Sequence, residues 1–333
     1  MNAVILVGGF GTRLRPLTLT MPKQMLPVAG PTMLERVIAH LGRHGIDRAV
    51  LALGYQPDAF IDAHPDGHID GVELVYAVEP EPLDTGGAVG FAAREGGIDD
   101  TFVVVNGDVL TDLDVSELVA CHRSFGAEGT IALTPVDDPS RYGVVPIDAD
   151  GRVEAFVEKP PPGEAPSTWI NAGTYVLEPS VLDRIEPGRR VSIEREVFPA
   201  MVADRRLYAL QRDGWWLDAG TPEAYLAAVR AHLDGTRADD PALAEGATVD
   251  PSAIVSRSWI GPGAVVEAGA AVVDSAVLAG ARVGRGAKVA SSVVGPGAVI
   301  GAGAVVDDLT VIGADATVEP GVVLSAARVP ETS

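Results

Sequence analysis

Cysteine and lysine are nearly missing from this chain, aromatic residues are sparse, and positive charge is in short supply. A single cysteine, Cys121, among 333 residues excludes an internal disulfide framework and fits a reducing compartment. Lysine occurs only at Lys23, Lys159 and Lys288, out of 25 basic residues, so arginine carries nearly all the positive charge. No apolar run reaches the roughly 18 residues of a membrane helix. The first one, Ala3–Val7, has no basic lead-in and ends in glycines, so it reads as a strand and not as a signal peptide. The formal net charge is −21. Such a surface repels nucleic acid and anionic membranes, and any anionic ligand must be drawn in by a local basic pocket. A soluble, cytoplasmic protein with neither nucleic acid nor membrane as a partner is the expectation.

What basic charge there is gathers in Val7–Pro27, VGGFGTRLRPLTLTMPKQMLP. Gly8, Gly9 and Gly11 let a backbone approach a bulky anion and line it with N–H groups, and Arg13, Arg15 and Lys23 follow them. The stretch leaves a strand, and it reads as a polyphosphate-binding loop at that strand's carboxyl end. Leu14 stands where a dinucleotide fingerprint has a third small residue, and the G-K-[ST] of a Walker loop is absent.

Strand and helix signals alternate through the first 110 residues. Val4–Val7, Ala49–Leu53, Val72–Val78 and Thr101–Val105 read as strands. Thr32–His44 places Leu34, Val37, Ile38 and Leu41 at helical spacing before Gly45, and Asp58–Ala63 and Gly87–Arg94 read as shorter helices. This alternation predicts an α/β domain with a parallel sheet and ligands at the strands' carboxyl ends. Strands over Thr130–Pro135, Gly143–Ile147, Val153–Glu158 and Asn171–Leu177 predict an inserted antiparallel section, followed by helices over Ser192–Ala203 and Pro222–Leu233.

Asp234–Ala247 is small, acidic and turn-forming, and reads as a linker. Beyond it apolar residues recur every six positions, through Ile260, Val266, Val272 and Leu278 and then through Val294, Ile300, Val306, Ile312 and Val318. Five-residue steps reset the register near Ile260, Val283 and Val294. Hexapeptide periodicity predicts a parallel β-helix with one small apolar residue turned inward per face. The expected boundaries are an α/β domain over 1–234, a linker over 235–247, a β-helix over 248–326 and a tail over 327–333.

The motifs, in order, resemble those of the sugar-1-phosphate nucleotidyltransferases. GGFGTRLRPLT followed by Pro22-Lys23 is similar to that family's signature; EPLDTGGAVGFA resembles its base-binding segment, and VVNGDVLTD its metal-aspartate motif. YGVV, FVEKP and INAGTYVL resemble its sugar-phosphate elements, while SIEREVFPAMV and WWLDAGTPEAYL most resemble the mannose-1-phosphate guanylyltransferase branch. The resemblance covers nearly the whole chain. It implies a Rossmann-like mixed-sheet nucleotidyltransferase domain followed by a left-handed parallel β-helix. The implied reaction is attack of a sugar-1-phosphate, mannose-1-phosphate first, on the α-phosphorus of a nucleoside triphosphate, GTP first, with release of pyrophosphate. Carried over residue by residue, it implies Arg13 and Lys23 as catalytic cations. Gly8, Gly9, Gly11, Thr12, Arg13, Thr85 and Gly86 would contact the nucleotide, and Gly143, Glu158, Lys159 and Asn171 the sugar phosphate. Asp108 and Asp218 would be ligands to Mg2+.

Two departures bear on the base. Asp84-Thr85-Gly86-Gly87 stands where the guanylyl branch has G-T-A-G, and Gln24 follows Lys23 where proline is frequent. A glucose-1-phosphate adenylyl-, uridylyl- or thymidylyltransferase is therefore the rival within the enzyme class. A non-catalytic regulatory homologue is the rival outside it, and the joint presence of Arg13, Lys23, Asp108 and Asp218 argues against that. Hexapeptide domains often belong to acyltransferases, which normally use a histidine base, but no histidine follows His232. The β-helix is thus expected to serve assembly of a homo-oligomer or regulation. His64 and His68 flank Pro65 and Gly67 and read as a surface loop, His40 and His44 as an exposed helix face, and Cys121 as buried packing.

Overall fold

The first strand, β1 (Asn2–Leu6), has its three central residues buried, and a strand apolar on both sides must be covered on both. The cover arrives in chain order with α1 (Met33–Arg43), β2 (Arg48–Leu53), α2 (Pro57–Ala63), β3 (His68–Ile69), β4 (Val72–Val78), α3 (Asp84–Glu95) and β5 (Phe102–Asn106). Then follow β6 (Val109–Thr111), α4 (Val115–Phe125), β7 (Gly129–Pro135), β8 (Gly143–Val144), β9 (Val157–Glu158), β10 (Trp169–Leu177), α5 (Phe198–Ala203) and β11 (Leu207–Gln211). The computed structural model describes residues 1–238 and 240–331; Asp239 of the expected linker and Thr332 and Ser333 of the expected tail lie outside the described residues.

Hydrogen bonds order the strands β11-β7-β10-β5-β1-β2-β4-β3, with β8 joining β10 and β9 joining β8. β1 runs parallel to β2 and β5, and β10 runs antiparallel to β5 and β7, so the sheet is mixed. Leu6 lies opposite Asn106 in the β1–β5 ladder. Gly8 and Asp108 therefore leave neighbouring strand ends, where ligands of open α/β sheets bind. The core is the two faces of these strands, with Val4, Val50, Phe102, Val104, Tyr175 and Phe198 essentially inaccessible.

Several elements differ from the sequence expectation, each for a local reason. Helix α3 begins at Asp84, three residues early. The strands expected over Gly143–Ile147 and Val153–Glu158 shrink to two residues each. Pro146 has no N–H to give a ladder, and Asp148 turns the chain by accepting from the N–H groups of Asp150 and Arg152. The helix expected over Ser192–Ala203 starts as one wide turn, Ile193–Val197, before Pro199 sits in the first turn of α5. His40 is not on an exposed face. Its Nε2 lies 2.9 Å from the Leu113 carbonyl, and burial, with His44 beside it, lowers its pKa from 6.5 to about 4. Cys121 is only half-buried, because it lies toward the open side of α4 while Leu118, Val119 and His122 face inward.

After α6 (Pro222–Leu233), capped by the Thr221 side chain on the Ala224 N–H, comes a parallel β-helix of three five-stranded sheets. The buried inward residues are Ile260, Val266, Val272, Val277, Val283, Val289, Val294, Ile300, Val306, Ile312 and Val318. Val277, not Leu278, is inward, so one five-residue step falls earlier than the reset expected near Val283. The short corner recurs at Arg257, Asp274 and Ser291, all at positive φ, and a buried ladder marks it: Ser275 N–H donates to Ser258 Oγ and Ser292 N–H to Ser275 Oγ. Where Asp308 and Leu309 both take positive φ, the corner holds one residue more and the following step is six. The stretch expected to be a linker is tied down, with Leu243 bridged to Ile260 and Asp240 N–H donating to the His232 carbonyl.

The described chain packs as two compact units that do not follow chain order. One contains Met1–Gly9 and Leu34–Trp216; the other contains Phe10–Met33 and the chain from Leu217 onward. The basic loop thus belongs with the β-helix half. No helix among the described residues is long and apolar enough to cross a membrane.

Candidate active site

Between Phe10 and Met33 the chain forms three single 3-10 turns, Thr12–Leu14, Leu17–Leu19 and Lys23–Met25. They bury Leu14, Leu17 and Leu26 and leave the Arg13 side chain more than half exposed. Gly11 is needed twice over. Its φ is +60°, and a Cβ there would stand 2.9 Å from Thr18 Cγ2. In its place the Thr18 hydroxyl donates to the Gly11 carbonyl at 2.8 Å, which closes the loop on itself. Gln24 is buried, and its Oε1 accepts no hydrogen bond among the described residues.

In the same unit Arg13 Nη2 lies 3.5 Å from Asp218 Oδ2, and Asp218 Oδ1 accepts the Gly220 N–H at 3.0 Å. A Cβ on Gly220 would lie 2.7 Å from Arg13 Nη2, so that glycine makes room for the guanidinium. An ion pair this exposed contributes at most about 1 kcal/mol. Its charges stay available for ligands, and stability does not depend on them.

The other unit gathers the sugar-phosphate candidates. Gly143 of β8 pairs with Glu158 of β9; a Cβ at Gly143 would meet the Phe156 ring at 2.7 Å and Glu158 Oε2 at 3.1 Å. Lys159 Nζ stands 3.2 Å from Glu158 Oε1, and its N–H donates to the Tyr142 carbonyl. Asn171 is locked at both ends: Nδ2 donates to the Tyr175 hydroxyl at 2.8 Å, and Oδ1 accepts the Gly173 N–H at 2.9 Å. A bulge in the β10–β7 ladder falls between Asn171 and Tyr175. Burial, with Glu194 and Glu158 nearby, pushes the Tyr175 phenol well above its ordinary range, so it stays neutral. Asp108 sits in the β5–β6 turn, half-buried. The preceding Gly107 packs so close to β1 that a Cβ would be 2.6 Å from Val7 Cγ1.

The segment that resembles the family's base-binding motif is tied into the fold more firmly than its sequence suggests. The Thr85 hydroxyl donates to Glu194 Oε2 at 2.6 Å and accepts the Ile193 N–H at 3.0 Å. Gly86 and Gly87 both donate to the Val191 carbonyl, and a Cβ on Gly86 would press on Val191 and Ile193 at 3.0 Å. Asp84, at the departure from G-T-A-G, has φ +63°. That conformation suits glycine, and aspartate tolerates it better than most residues; Asp84 Oδ1 also accepts the Thr85 N–H at 2.8 Å.

Sequence reasoning missed Glu79. Its Oε2 accepts the Leu83 N–H at 2.9 Å. Its Oε1 lies 3.4 Å from where a Gly8 Cβ would be and 3.9 Å from that of Gly54. Burial raises its pKa above the usual carboxylate range. A carboxylate directly after a parallel strand, β4, was the available signal. What it could not carry is that two glycines remote in sequence leave space beside it.

Mg2+ takes oxygen donors, usually one or two carboxylates with substrate phosphates and waters completing its shell. Asp108 and Asp218 are donors of that kind. Among the described residues no group of three or more His, Cys, Asp or Glu could hold a metal.

The family model described as nucleotidyl transferase matches residues 2–235. The chain belongs to the nucleotidyl transferase family. A second model, described as the GMPPB C-terminal domain, matches residues 239–332 of this nucleotidyltransferase. It is 42% identical over 283 residues to the mannose-1-phosphate guanylyltransferase of Mycobacterium tuberculosis, covering 81% of this chain and 77% of that one. It is 41% identical to the mannose-1-phosphate guanyltransferase of Schizosaccharomyces pombe, covering 78% and 74%. Among solved structures, HddC from Yersinia pseudotuberculosis matches with a TM-score of 0.59 at 32% identity, over 68% of this chain and 97% of that one. HddC complexed with GMP-PN matches at 0.58 and 31%, with the same coverage. The nucleotidyltransferase thus has the mixed α/β domain of sugar-phosphate nucleotidyltransferases, followed by parallel sheets in regular repeats.

Proposed function

We propose that this nucleotidyltransferase joins GMP from GTP to mannose-1-phosphate, giving GDP-mannose and pyrophosphate. The observation that carries this reading is the 42% identity over 81% of the chain to a mannose-1-phosphate guanylyltransferase. Glu79 adds a chemical reason for guanine. The Watson–Crick edge of guanine presents two donors, N1–H and the N2 amino group, and a carboxylate accepts from both. Adenine presents a bare N1 there, which a carboxylate repels. Because Glu79 is partly desolvated, leaving it against the wrong base costs more than in water.

The reaction joins two anions, so the protein's work is positioning and charge neutralisation. Arg13 and Lys23 neutralise the triphosphate and the departing pyrophosphate. Lys159 takes the sugar phosphate, with Glu158 beside it accepting from sugar hydroxyls; Asn171, fixed by Tyr175 and Gly173, presents one set amide face. Asp108 and Asp218 would hold Mg2+, which supplies Lewis-acid neutralisation of phosphate oxygens when bound. The oxygen of mannose-1-phosphate forms the bond to the α-phosphorus as the bond to the β-phosphate oxygen breaks in line. The β-helix serves assembly of identical subunits.

A matrix of GTP, ATP, UTP and dTTP against mannose-1-phosphate and glucose-1-phosphate, read by product and pyrophosphate formation, tests the assignment. GTP with mannose-1-phosphate should give the highest kcat/KM. Preference for another pair would reject the guanylyl reading, and no pyrophosphate from any pair would leave a nucleotide-sugar-binding homologue.

A further inference from the structure

Where a Cβ on a glycine of the β-helix would meet another atom within 4 Å, it meets the β-helix itself, with one exception. A Cβ on Gly261 would meet Val277–Ala279, one on Gly284 Ile300–Ala302, one on Gly295 Ile312–Gly313, and one on Gly301 Val318–Pro320, in each case the backbone of the next coil. Gly313 is different. A Cβ there would stand 3.1 Å from both Cβ and Cγ of Pro16 and 3.2 Å from the Val329 carbonyl. Both Gly313 and Pro16 are buried. Gly313 cannot drift away, because its N–H donates to the Val329 carbonyl at 2.7 Å. The sheet it leaves is also the one whose outward residues Trp259, Ala276, Val293 and Val311 are buried.

Pro16 lies three residues beyond Arg13, and short bonds link the two. Leu19 N–H donates to the Pro16 carbonyl, Arg15 N–H to Thr12 and Leu14 N–H to Gly11, while Thr18 closes back on Gly11. We propose that the end of the penultimate β-helix coil, through Gly313 against Pro16, positions the basic loop, and with it Arg13, for the nucleotide's phosphates. Gly313 is then a positioning residue of a nucleotide site, and the β-helix is a working part of catalysis as well as an assembly element. The proposal rests on the phosphate-binding role given above to Arg13.

Gly313→Ala places a methyl against a rigid ring that must yield by a few tenths of an ångström. Since small misplacements of charge cost rate steeply, kcat/KM for GTP should fall about tenfold, with KM for mannose-1-phosphate within about twofold of the parent's. Gly284→Ala, which presses on Ile300–Ala302 and not on Gly313, should lower Tm but leave kcat/KM for GTP within about twofold of the parent's. Arg13→Ala, measured alongside, separates the premises: if it leaves GTP kinetics intact, the phosphate role fails, whatever Gly313→Ala does. If Arg13→Ala acts and a folded Gly313→Ala does not, or if Gly284→Ala loses as much as Gly313→Ala, the positioning proposal is overturned. Hydrogen exchange on the unaltered protein needs no variant to fold. GTP with Mg2+ should slow exchange in residues 311–316 as well as 10–25, and slowing confined to 10–25 overturns the proposal.

Discussion

The sheet unit and the unit of basic loop plus β-helix hold their candidate ligand-binding side chains in opposite ways. In the sheet unit Asn171 is fixed by two hydrogen bonds, Glu79 by the Leu83 N–H, and Thr85 by Glu194 and Ile193. In the loop, the backbone is what is fixed, through Gly11 and Thr18, while Arg13 reaches out exposed toward Asp218 at 3.5 Å. Locked polar groups discriminate, because a substrate of the wrong shape leaves them unpaired. Exposed cations on short turns neutralise charge without asking what carries it. The difference teaches that, under the proposed function, substrate identity should reside in the sheet unit and general phosphate chemistry in the loop unit.

That division can be broken or sharpened by substitution. The largest effect is expected at the aspartates, where Asp108→Asn and Asp218→Asn should each cut Mg2+-dependent kcat by about 10³-fold or more with an unchanged Tm. Near-normal turnover would remove them from the metal role. Lys159→Ala should raise KM for mannose-1-phosphate about 30-fold and leave KM for GTP within about twofold, because it deletes one charge-assisted contact to a phosphate. Equal loss toward both substrates would dissolve the division. Its surface pair with Glu158 is too exposed for a stability effect to confuse the reading.

Stability provides two smaller tests of the sheet unit. His40 has a folded pKa of about 4 against an ordinary 6.5, so the unfolded chain takes up its proton first as pH falls. Its stabilisation is complete above about pH 6.5 and is lost as pH drops toward 4, by up to about 3 kcal/mol. Urea titrations at pH 7 and pH 4.5 should show the loss, and His40→Gln should shrink it. Smallest is Asp84→Ala, expected to cost about 1 kcal/mol through a non-glycine left-handed residue that has lost its hydrogen bond to Thr85. Asp84→Gly should cost less, which thermal melts of the two variants would resolve.

Legibility from sequence followed the range of the interactions. The β-helix declares itself because its coils stack chiefly on one another, so one-dimensional periodicity carries the fold, although Leu278 was read in place of Val277 and the last strand, Arg328–Val329, as tail. Central strands such as β4 and β5 were readable from apolar runs, whereas β8 and β9 were overdrawn because two-residue strands leave no periodicity to read. Site motifs were visible as residue types at chain positions. Glu79 was not, since its meaning depends on Gly8 and Gly54, and neither was Pro16 against Gly313, a contact between opposite ends of the chain. His40 was misread because an amphipathic helix does not reveal which of its polar residues meets a distant carbonyl.

The central claim is most directly tested by the ratio of kcat/KM for GTP to that for ATP, measured in Glu79→Gln and Arg13→Ala beside the parent protein. Glu79→Gln should reduce the ratio by about tenfold or more, because an amide can serve either base edge. Arg13→Ala should lower both values together by about 10²-fold and leave the ratio within about twofold. A ratio unmoved by Glu79→Gln, or collapsed by Arg13→Ala, would contradict the account.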